Sequence, residues 1–175
     1  MEVRPLRAGE VEEIRALRLR AVADAPFAFS SSHERELRRP DDFWQHLARQ
    51  SDEALTGVTY VAVHGDQWVG MAGVFITDNE PNTGQIWGTW VDPASRRAGI
   101  GHQLMESIRA WAVTRGLRHL RLSVTDSERS APARRLYAAL GFQSTGDQEP
   151  LDSDPSLRAD VMTLALSADQ ADRRP

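Results

Sequence analysis

The stretch RRAGIGHQLMESIRAW, from Arg96 to Trp111, sets two arginines and two glycines directly in front of an apolar repeat of helical period. Leu104, Ile108 and Trp111 recur at the spacing that marks the buried face of a helix. The unpaired N–H groups and the positive dipole at the start of such a helix favour phosphate oxygens, and glycines let the backbone approach a ligand closely. The stretch therefore predicts a strand-to-helix loop that can bind a pyrophosphate.

Two better-known phosphate-binding motifs do not describe this loop. The chain contains no Gly-x-x-x-x-Gly-Lys-[Ser/Thr] sequence for a P-loop. The pattern Arg96-x-x-Gly99-x-Gly101 lacks the first glycine and the later acidic residue of a dinucleotide-binding fold. The glycines alone also leave open a plainer interpretation, a tight turn in which they merely permit packing.

Length and composition favour a single soluble domain. With 175 residues, of which 41% are apolar and 26% charged, the chain can bury a sizeable core. No run approaches the roughly 20 apolar residues of a membrane span, and the first residues lack the order of a secretory signal. We therefore expect a cytoplasmic protein with no membrane partner.

The residue types exclude several kinds of site. The absence of cysteine excludes disulfides, thiolate nucleophiles and Cys-based metal sites. The five histidines form no close pair at metal-ligand spacing, so no metal is predicted. A formal net charge of −4 argues against nucleic acid as a partner, although a local basic pocket remains compatible with it. Arg15 and Arg18 are expected on solvated or snorkelling faces.

The hydrophobic pattern predicts a mixed α/β domain with the order β, helices, βββ, α, β, α, ββ. The predicted strands cover residues 2–7, two runs within 55–78, and residues 84–91, 117–124, 142–147 and 159–166. The predicted helices cover residues 9–24, a stretch capped by Ser32, a stretch that starts at Pro40, and residues 99–115 and 131–140. The segment NEPNTG, residues 79–84, is expected to form a turn. The domain is expected to span residues 1–166, followed by a flexible polar tail over 167–175.

Trp87 and Trp90 stand three residues apart on one predicted strand. A regular pleat would send their side chains to opposite faces of the sheet, unless a bulge near Gly88 resets the alternation. Packing in the core is the expected role of both rings, and lining a pocket for the acceptor is the alternative.

A second informative segment is SAPARRLYAALGF, residues 130–142. Pro132 suits a first helical turn, and Leu136 and Leu140 form an apolar pair at i and i+4. The segment therefore predicts a short amphipathic helix. Tyr137 lies between the two leucines in sequence and is expected to point partly away from the core.

Together the two segments resemble the GNAT family of N-acetyltransferases. The family's [Arg/Gln]-x-x-Gly-x-[Gly/Ala] loop is matched by Arg96, Gly99 and Gly101, and its later Asn-x-x-Ala-x-x-Leu-Tyr segment by Ala133, Leu136 and Tyr137. The resemblance is specific over residues 86–142. It implies the family's fold, a central, mostly antiparallel sheet flanked by helices, with a splayed cleft for the cofactor.

The resemblance implies acetyl-CoA as cosubstrate and no metal. The backbone from Arg97 to His102 would hold the pyrophosphate, and the backbone of Trp90 and Val91 would line the pantetheine arm. The cofactor-binding residues implied by the resemblance are Trp90, Val91, Arg96, Arg97, Ala98, Gly99, Ile100, Gly101, His102, Ser130 and Ala133. Ser130 departs from the family's asparagine, and a plain N-cap of the helix is the favoured interpretation of its hydroxyl.

The resemblance also gives Tyr137 a catalytic role. It matches the family tyrosine that can protonate the departing CoA thiolate, and a phenol remains protonated at neutral pH. Glu80, Asp92 and Asp126 lie near predicted strand ends, but none is assigned as the base that removes a proton from the amine. An acidic residue in a loop is more often a solvated surface group.

The favoured function is acetyl transfer from acetyl-CoA directly to a primary amine of a small molecule or peptide, by a ternary-complex mechanism. Two alternatives stay open, acetylation of a protein α-amine or lysine, and a catalytically idle CoA-binding regulatory module. Exposed sheet edges after Phe142 would allow a homodimer.

Overall fold

A computed structural model describes residues 1–166 and shows seven strands and five α-helices in that range. The strands are β1 Glu2–Pro5, β2 Gly57–His64, β3 Gln67–Thr77, β4 Glu80–Val91, β5 His119–Thr125, β6 Gln143–Leu151 and β7 Asp154–Ala165. The helices are α1 Val11–Asp24, α2 His33–Leu37, α3 Asp41–Glu53, α4 Ile100–Thr114 and α5 Ala131–Ala139. The predicted order of elements is confirmed. The predicted tail over 167–175 lies outside the described residues.

The strands form one mixed sheet in the order β1-β2-β3-β4-β5-β7-β6. Every neighbouring pair is antiparallel except β4 and β5, which run parallel. That parallel pairing joins only Thr83–Gln85 to His119–Arg121, after which the two strands diverge. The predicted mostly antiparallel sheet with a splayed opening is therefore confirmed.

Helices cover both faces of the sheet. On one face, Leu104 and Ile108 of α4 pack with Leu120 of β5 in the larger buried cluster. On the other face, Leu17 of α1 and Trp44 of α3 pack in a second cluster. The apolar repeat that marked α4 in the sequence is thus the face that it buries against the sheet.

A bulge in β4 places Trp87 and Trp90 on the same face. Gly88 has a φ of +66°, and the register with β3 shifts between Met71 and Gly73, opposite this point. Both tryptophans consequently belong to the cluster under α1 and α3. The bulge that the sequence left open as an alternative is present, and it resets the alternation of side chains.

The indole of Trp87 lies directly over Gly73 of the neighbouring strand. A Cβ at position 73 would stand 2.3 Å from the ring, which no side chain can tolerate. Glycine at position 73 is therefore what leaves room for the ring of Trp87.

Two sequence-based boundaries are wrong. Residues 80–84 do not form a turn but belong to β4, and only Asp78 and Asn79 make the hairpin turn. Pro81 is tolerated because the ladder between β3 and β4 is irregular there, with a register shift between Ile76 and Thr77. The last two strands are longer than predicted, since their polar residues pair with one another out to Leu151.

Candidate active site

A cleft of about 1160 Å³ opens where β4 and β5 diverge. Its walls comprise residues 86–91 of β4, the loop and first turn of α4, residues 122–125 of β5, the start of α5, and the segment after α1. Eleven of the twelve residues predicted for the site line it, namely Trp90, Val91, Arg96, Arg97, Gly99, Ile100, Gly101, His102, Ser130, Ala133 and Tyr137. Ala98 is the predicted residue that does not. The two segments singled out in the sequence thus face one cavity.

The loop before α4 has the backbone shape of an anion cradle. Arg97 and Gly99 both adopt left-handed conformations, with φ of +67° and +77°. Alternation of this kind turns successive N–H groups toward one point, and the first turn of α4 adds the unpaired amides of a helix start. A Cβ placed on Gly99 would meet no atom within 4 Å. The space over this glycine is therefore open.

The side chain of Arg96 holds the loop in place. Its Nε donates to the carbonyl oxygen of Val91 at 2.9 Å, and its Nη2 donates to the carboxylate of Asp24. The same carboxylate accepts a hydrogen bond of 2.9 Å from Nε1 of Trp90. Asp24 thus fixes both the end of β4 and the cradle loop. Asp24 is not predicted from the sequence, because nothing local marks the last residue of α1 as part of the site.

Tyr137 is buried against the inner wall of the cleft, with 7% of its surface exposed. Its ring meets Phe142 edge to face, with 5.9 Å between the ring centroids. Burial raises the pKa of Tyr137 above its ordinary value, and a hydrogen bond with Thr89 lowers it in part. The phenol therefore keeps its proton at neutral pH.

Ser130 occupies the N-cap position of α5 but does not cap the helix. Its side chain accepts no hydrogen bond from the helix, and its Oγ lies 3.1 Å from the Oγ of Ser127. The plain N-cap interpretation is therefore wrong for the side chain, because the preceding turn Glu128–Ser130 already gives Ser130 helical dihedral angles. Ser130 is nearly fully buried at the cleft wall.

The segment Pro26–Phe29 closes one end of the cleft. Thr125 Oγ1 donates to the carbonyl oxygen of Phe27 at 2.7 Å, and Ser153 Oγ donates to that of Phe29 at 2.5 Å. These two bonds hold the segment against β5 and against the turn between β6 and β7. Phe27 and Phe29 therefore form a fixed apolar wall.

The charge of the cleft is strongly positive. Among the described residues, Asp24 is its only lining carboxylate, and it is paired with Arg96. The arginines that line the cleft are Arg96, Arg97, Arg129 and Arg135. Of the acidic residues considered in the sequence, Glu80 contacts Gln85, Asp92 accepts a bond from its own turn, and Asp126 pairs with Arg134. None of these three lines the cleft.

Arg18 lies behind the wall of the cleft and its guanidinium is buried, contrary to the solvated or snorkelling position expected from the sequence. Only 8% of its surface is exposed, because α1 packs it between the rings of Phe29 and Trp87, at 4.5 and 5.5 Å from their centroids. Its Nη2 lies 3.5 Å from Oε1 of Glu36. Burial lowers the pKa of Arg18, and the neighbouring Glu36 opposes that shift.

Glu36, in α2, is 1% exposed and carries its charge among arginines. Its Oε2 accepts a hydrogen bond of 2.9 Å from Nε of Arg39, and its Oε1 one of 3.3 Å from Nη2. Burial works to raise the pKa of Glu36. Hydrogen bonds from Arg39 and the charges of both arginines outweigh it, so the pKa lies below its usual value.

Residues 1–166 contain neither a cluster of metal ligands nor a helix that could span a membrane. No group of three or more His, Cys, Asp or Glu side chains in this range is arranged to hold a metal ion. No helix in the same range has both the length and the apolar character that crossing a membrane requires.

Comparisons with known proteins agree on one family. The sequence profile of the acetyltransferase (GNAT) family matches residues 18–142. A mycothiol acetyltransferase from Thermobifida fusca (strain YX) is 32% identical over 159 residues, which cover 82% of this chain and 44% of that protein. The chain thus spans about half the length of the curated relatives that it matches.

Solved structures share the fold. An acetyltransferase of the GNAT family from Streptococcus pneumoniae superposes with a TM-score of 0.80 at 18% identity, covering 95% of this chain and 99% of the other. The protein yncA from Salmonella typhimurium, solved with its cofactor acetyl-CoA, superposes with a TM-score of 0.74 at 18% identity, covering 95% and 94% of the two chains. At these identities the likeness concerns the fold alone.

Proposed function

The chain belongs to the acetyltransferase (GNAT) family, and we propose that it transfers the acetyl group of acetyl-CoA directly to a primary amine of a small molecule or peptide. The observation that carries the proposal is the common cleft of the anion cradle at Gly99 and the buried phenol of Tyr137. Both substrates would occupy this cleft at once, in a ternary complex. The match to mycothiol acetyltransferases supports a small-molecule acceptor over a protein.

The cradle fits the diphosphate of coenzyme A. The left-handed residues Arg97 and Gly99 and the start of α4 turn N–H groups toward the open space above Gly99, and Arg97 adds positive charge. The backbone of Trp90 and Val91 has no β5 partner on its cleft side and can bond the amides of a pantetheine arm. The thioester of the bound cofactor supplies the activated acetyl group.

Tyr137 carries the proton that the departing CoA thiolate needs. Its Oη is protonated over the whole physiological pH range, because burial raises its pKa. A positioned acid of this kind contributes about 10²- to 10⁴-fold to a rate. We infer that Tyr137 donates this proton to the departing thiolate.

The amine would be deprotonated without a carboxylate base. Within residues 1–166 the one lining carboxylate, that of Asp24, is already paired with Arg96 and bonded to Trp90. Water in the open cleft is then the acceptor of the amine's proton, so the rate should rise with pH as the free amine becomes abundant.

The test is thiol release from acetyl-CoA by purified protein over a panel of amines. Steady release that needs both an amine and Tyr137 supports the proposal, with acetylation of the amine confirmed by mass spectrometry. Calorimetric binding of acetyl-CoA without release by any amine would favour an idle CoA-binding module instead. Release only with proteins would favour the protein acetyltransferase.

A further inference from the structure

A second recess, of about 310 Å³, lies on the other side of Trp87 from the main cleft. We call it the arginine recess. Its lining includes Arg18, Glu36, Arg39, Phe43, Trp44 and Trp87. It combines aromatic walls with a buried group of charges, a composition that core packing alone does not call for.

The charges in the arginine recess do not cancel. Among the described residues that line it, two guanidinium groups, those of Arg18 and Arg39, face the single carboxylate of Glu36, which leaves one positive charge in excess. Arg39 is partly exposed and can be solvated, but Arg18 is more than nine-tenths buried. A buried cation without full compensation is costly, so the site is suited to one more negative charge.

Two hydrogen-bond donors in the recess are also unused. Nη1 of Arg18 and Nε1 of Trp44 are both buried and have no hydrogen-bond partner within residues 1–166. Buried donors are nearly always bonded in folded proteins, and an exception calls for an explanation. An acceptor that arrives with a ligand would provide one.

Arg18 connects this recess to the reaction centre. Its Nη1 lies against Gly88 of the β4 bulge, where an added Cβ would stand 3.2 Å away. Gly88, Phe29 and Trp87 all line the main cleft, and the two rings flank the guanidinium. A carboxylate bonded to this Nη1 would therefore lie beside Gly88, close to an amine placed in the main cleft.

The main cleft favours the same kind of ligand. In the part of the chain that the structure describes, its lining arginines outnumber its one carboxylate, which is itself paired, so an acceptor with several positive charges would be repelled. Phosphates of the cofactor would neutralise the arginines near the cradle, but not Arg18 behind the opposite wall. A negative group on the acceptor would balance that charge.

We propose that the acceptor amine carries a carboxylate, and that Arg18 binds it with support from Trp44. This deepens the proposed acetyltransferase activity and rests on it. A guanidinium binds a carboxylate with strong, charge-assisted hydrogen bonds. The substrate class is then amino-acid-like, with the carboxylate close to the amine.

The test compares matched acceptors. L-methionine, L-phenylalanine and L-leucine are each assayed beside their carboxamides with acetyl-CoA, and the ratio of kcat/KM for acid over amide is measured. The expected ratio is about 10 to 100, the range for a hydrogen bond to a charged group. The amide's amine is less basic and so more often free, which biases the assay against this expectation.

Variants locate the effect. Arg18→Met keeps the length of the side chain but removes charge and donors, and should bring the acid-to-amide ratio close to 1, with the KM for acetyl-CoA unchanged. Trp44→Phe should lower the ratio a few-fold. Arg15→Met is the control, since Arg15 lies on the same helix but pairs with Asp41 at the surface. If Arg18→Met does not fold, the acid-to-amide ratio is measured for Arg18→Lys and Trp44→Phe instead.

The outcomes separate the two proposals. Turnover of amines with no preference for the carboxylate, or a preference that survives Arg18→Met, would overturn the role of the recess and leave the acetyltransferase standing. No turnover with any amine would overturn the activity. In that case calorimetry tests whether the arginine recess binds a carboxylate. The three amino acids and their three carboxamides are titrated into protein saturated with CoA. Binding of the acids alone, lost in Arg18→Met, supports the site, and no binding refutes it.

Discussion

The carboxylate of Asp24, at the end of α1, pairs with the guanidinium of Arg96, in the loop before α4, across 72 residues of sequence. The pair fastens the cradle loop to the helix that also carries Arg18. Since the two side chains are 29% and 48% exposed, the pair is partly screened by solvent.

Asp24→Asn should weaken the cofactor site without unfolding the protein. We expect the KM for acetyl-CoA to rise by up to about fivefold, the equivalent of the roughly 1 kcal/mol that a screened pair contributes. Asp41→Asn, which breaks the exposed pair with Arg15, is the control and should leave this KM unchanged. An unchanged KM in Asp24→Asn would show that the pair does not position the loop.

Gly99→Ala and Gly116→Ala form a matched pair. Both glycines have positive φ, at +77° and +69°, and neither has an atom within 4 Å of an added Cβ. Each substitution should therefore cost a similar strain of about 1–2 kcal/mol in urea unfolding. Only Gly99→Ala places its methyl group in the cradle, so calorimetry should show at least about a tenfold loss of acetyl-CoA affinity for it alone. Equal affinities would contradict the cradle.

Tyr137→Phe should lower kcat by about 10²- to 10⁴-fold while the KM for acetyl-CoA stays constant. Phenylalanine keeps the edge-to-face contact with Phe142, so stability should change little. Tyr60→Phe is the control, because Tyr60 lies on β2 outside the cleft and its pKa is also raised by burial.

The pH dependence of kcat gives a second check on Tyr137. The acid must be protonated to act, and its pKa lies above the ordinary tyrosine value of about 10. Wild-type kcat should therefore show no alkaline decline until the pH exceeds about 10. A decline near neutral pH that disappears in Tyr137→Phe would mean that the phenol ionises far more easily than its burial allows.

Gly73→Ala should destabilise the fold. The added methyl group would overlap the indole of Trp87, and forcing that ring away costs about 1–3 kcal/mol of the free energy of unfolding. Gly9→Ala, at a position with open space and no positive φ, should be nearly neutral. Urea unfolding of both variants makes the measurement, and equal stabilities would show that Trp87 moves freely.

Glu36 should make the fold sensitive to acid. The pKa of Glu36 is lowered in the folded state. Its contribution to the free energy of unfolding is therefore fully present above the ordinary pKa of about 4.5 and is lost as the pH falls through the folded pKa. We expect wild-type stability to decline below about pH 4.5, and Glu36→Gln to decline less while being less stable at neutral pH. Glu34→Gln, on the exposed face of the same helix, should behave as wild type.

Local patterns predicted much of this structure. The face of α4 follows from the spacing of Leu104, Ile108 and Trp111, and the two segments that line the cleft are continuous stretches of sequence whose residue types have direct physical meaning. The order of the elements follows from the same kind of local periodicity.

Contacts between residues that are distant in sequence could not be predicted. Arg18 looked like a surface arginine, since its burial depends on Glu36 and on two aromatic rings contributed by distant elements. The pair of Asp24 with Arg96 likewise exists only because the sheet brings both ends together. The bulge at Gly88 could be stated only as an alternative, because a single glycine does not reveal the register of its neighbour strand.

Because the parallel pairing of β4 with β5 is short, the stability of the fold should depend on the concentration of acetyl-CoA. Only three residue pairs connect the two parts of the sheet there, and a cofactor in the gap would contact both. Because a ligand that binds only the folded state stabilises it in proportion to the logarithm of its concentration, the melting temperature should follow the abundance of acetyl-CoA. The concentration of acetyl-CoA would then set the thermal stability of the protein as well as its rate of turnover.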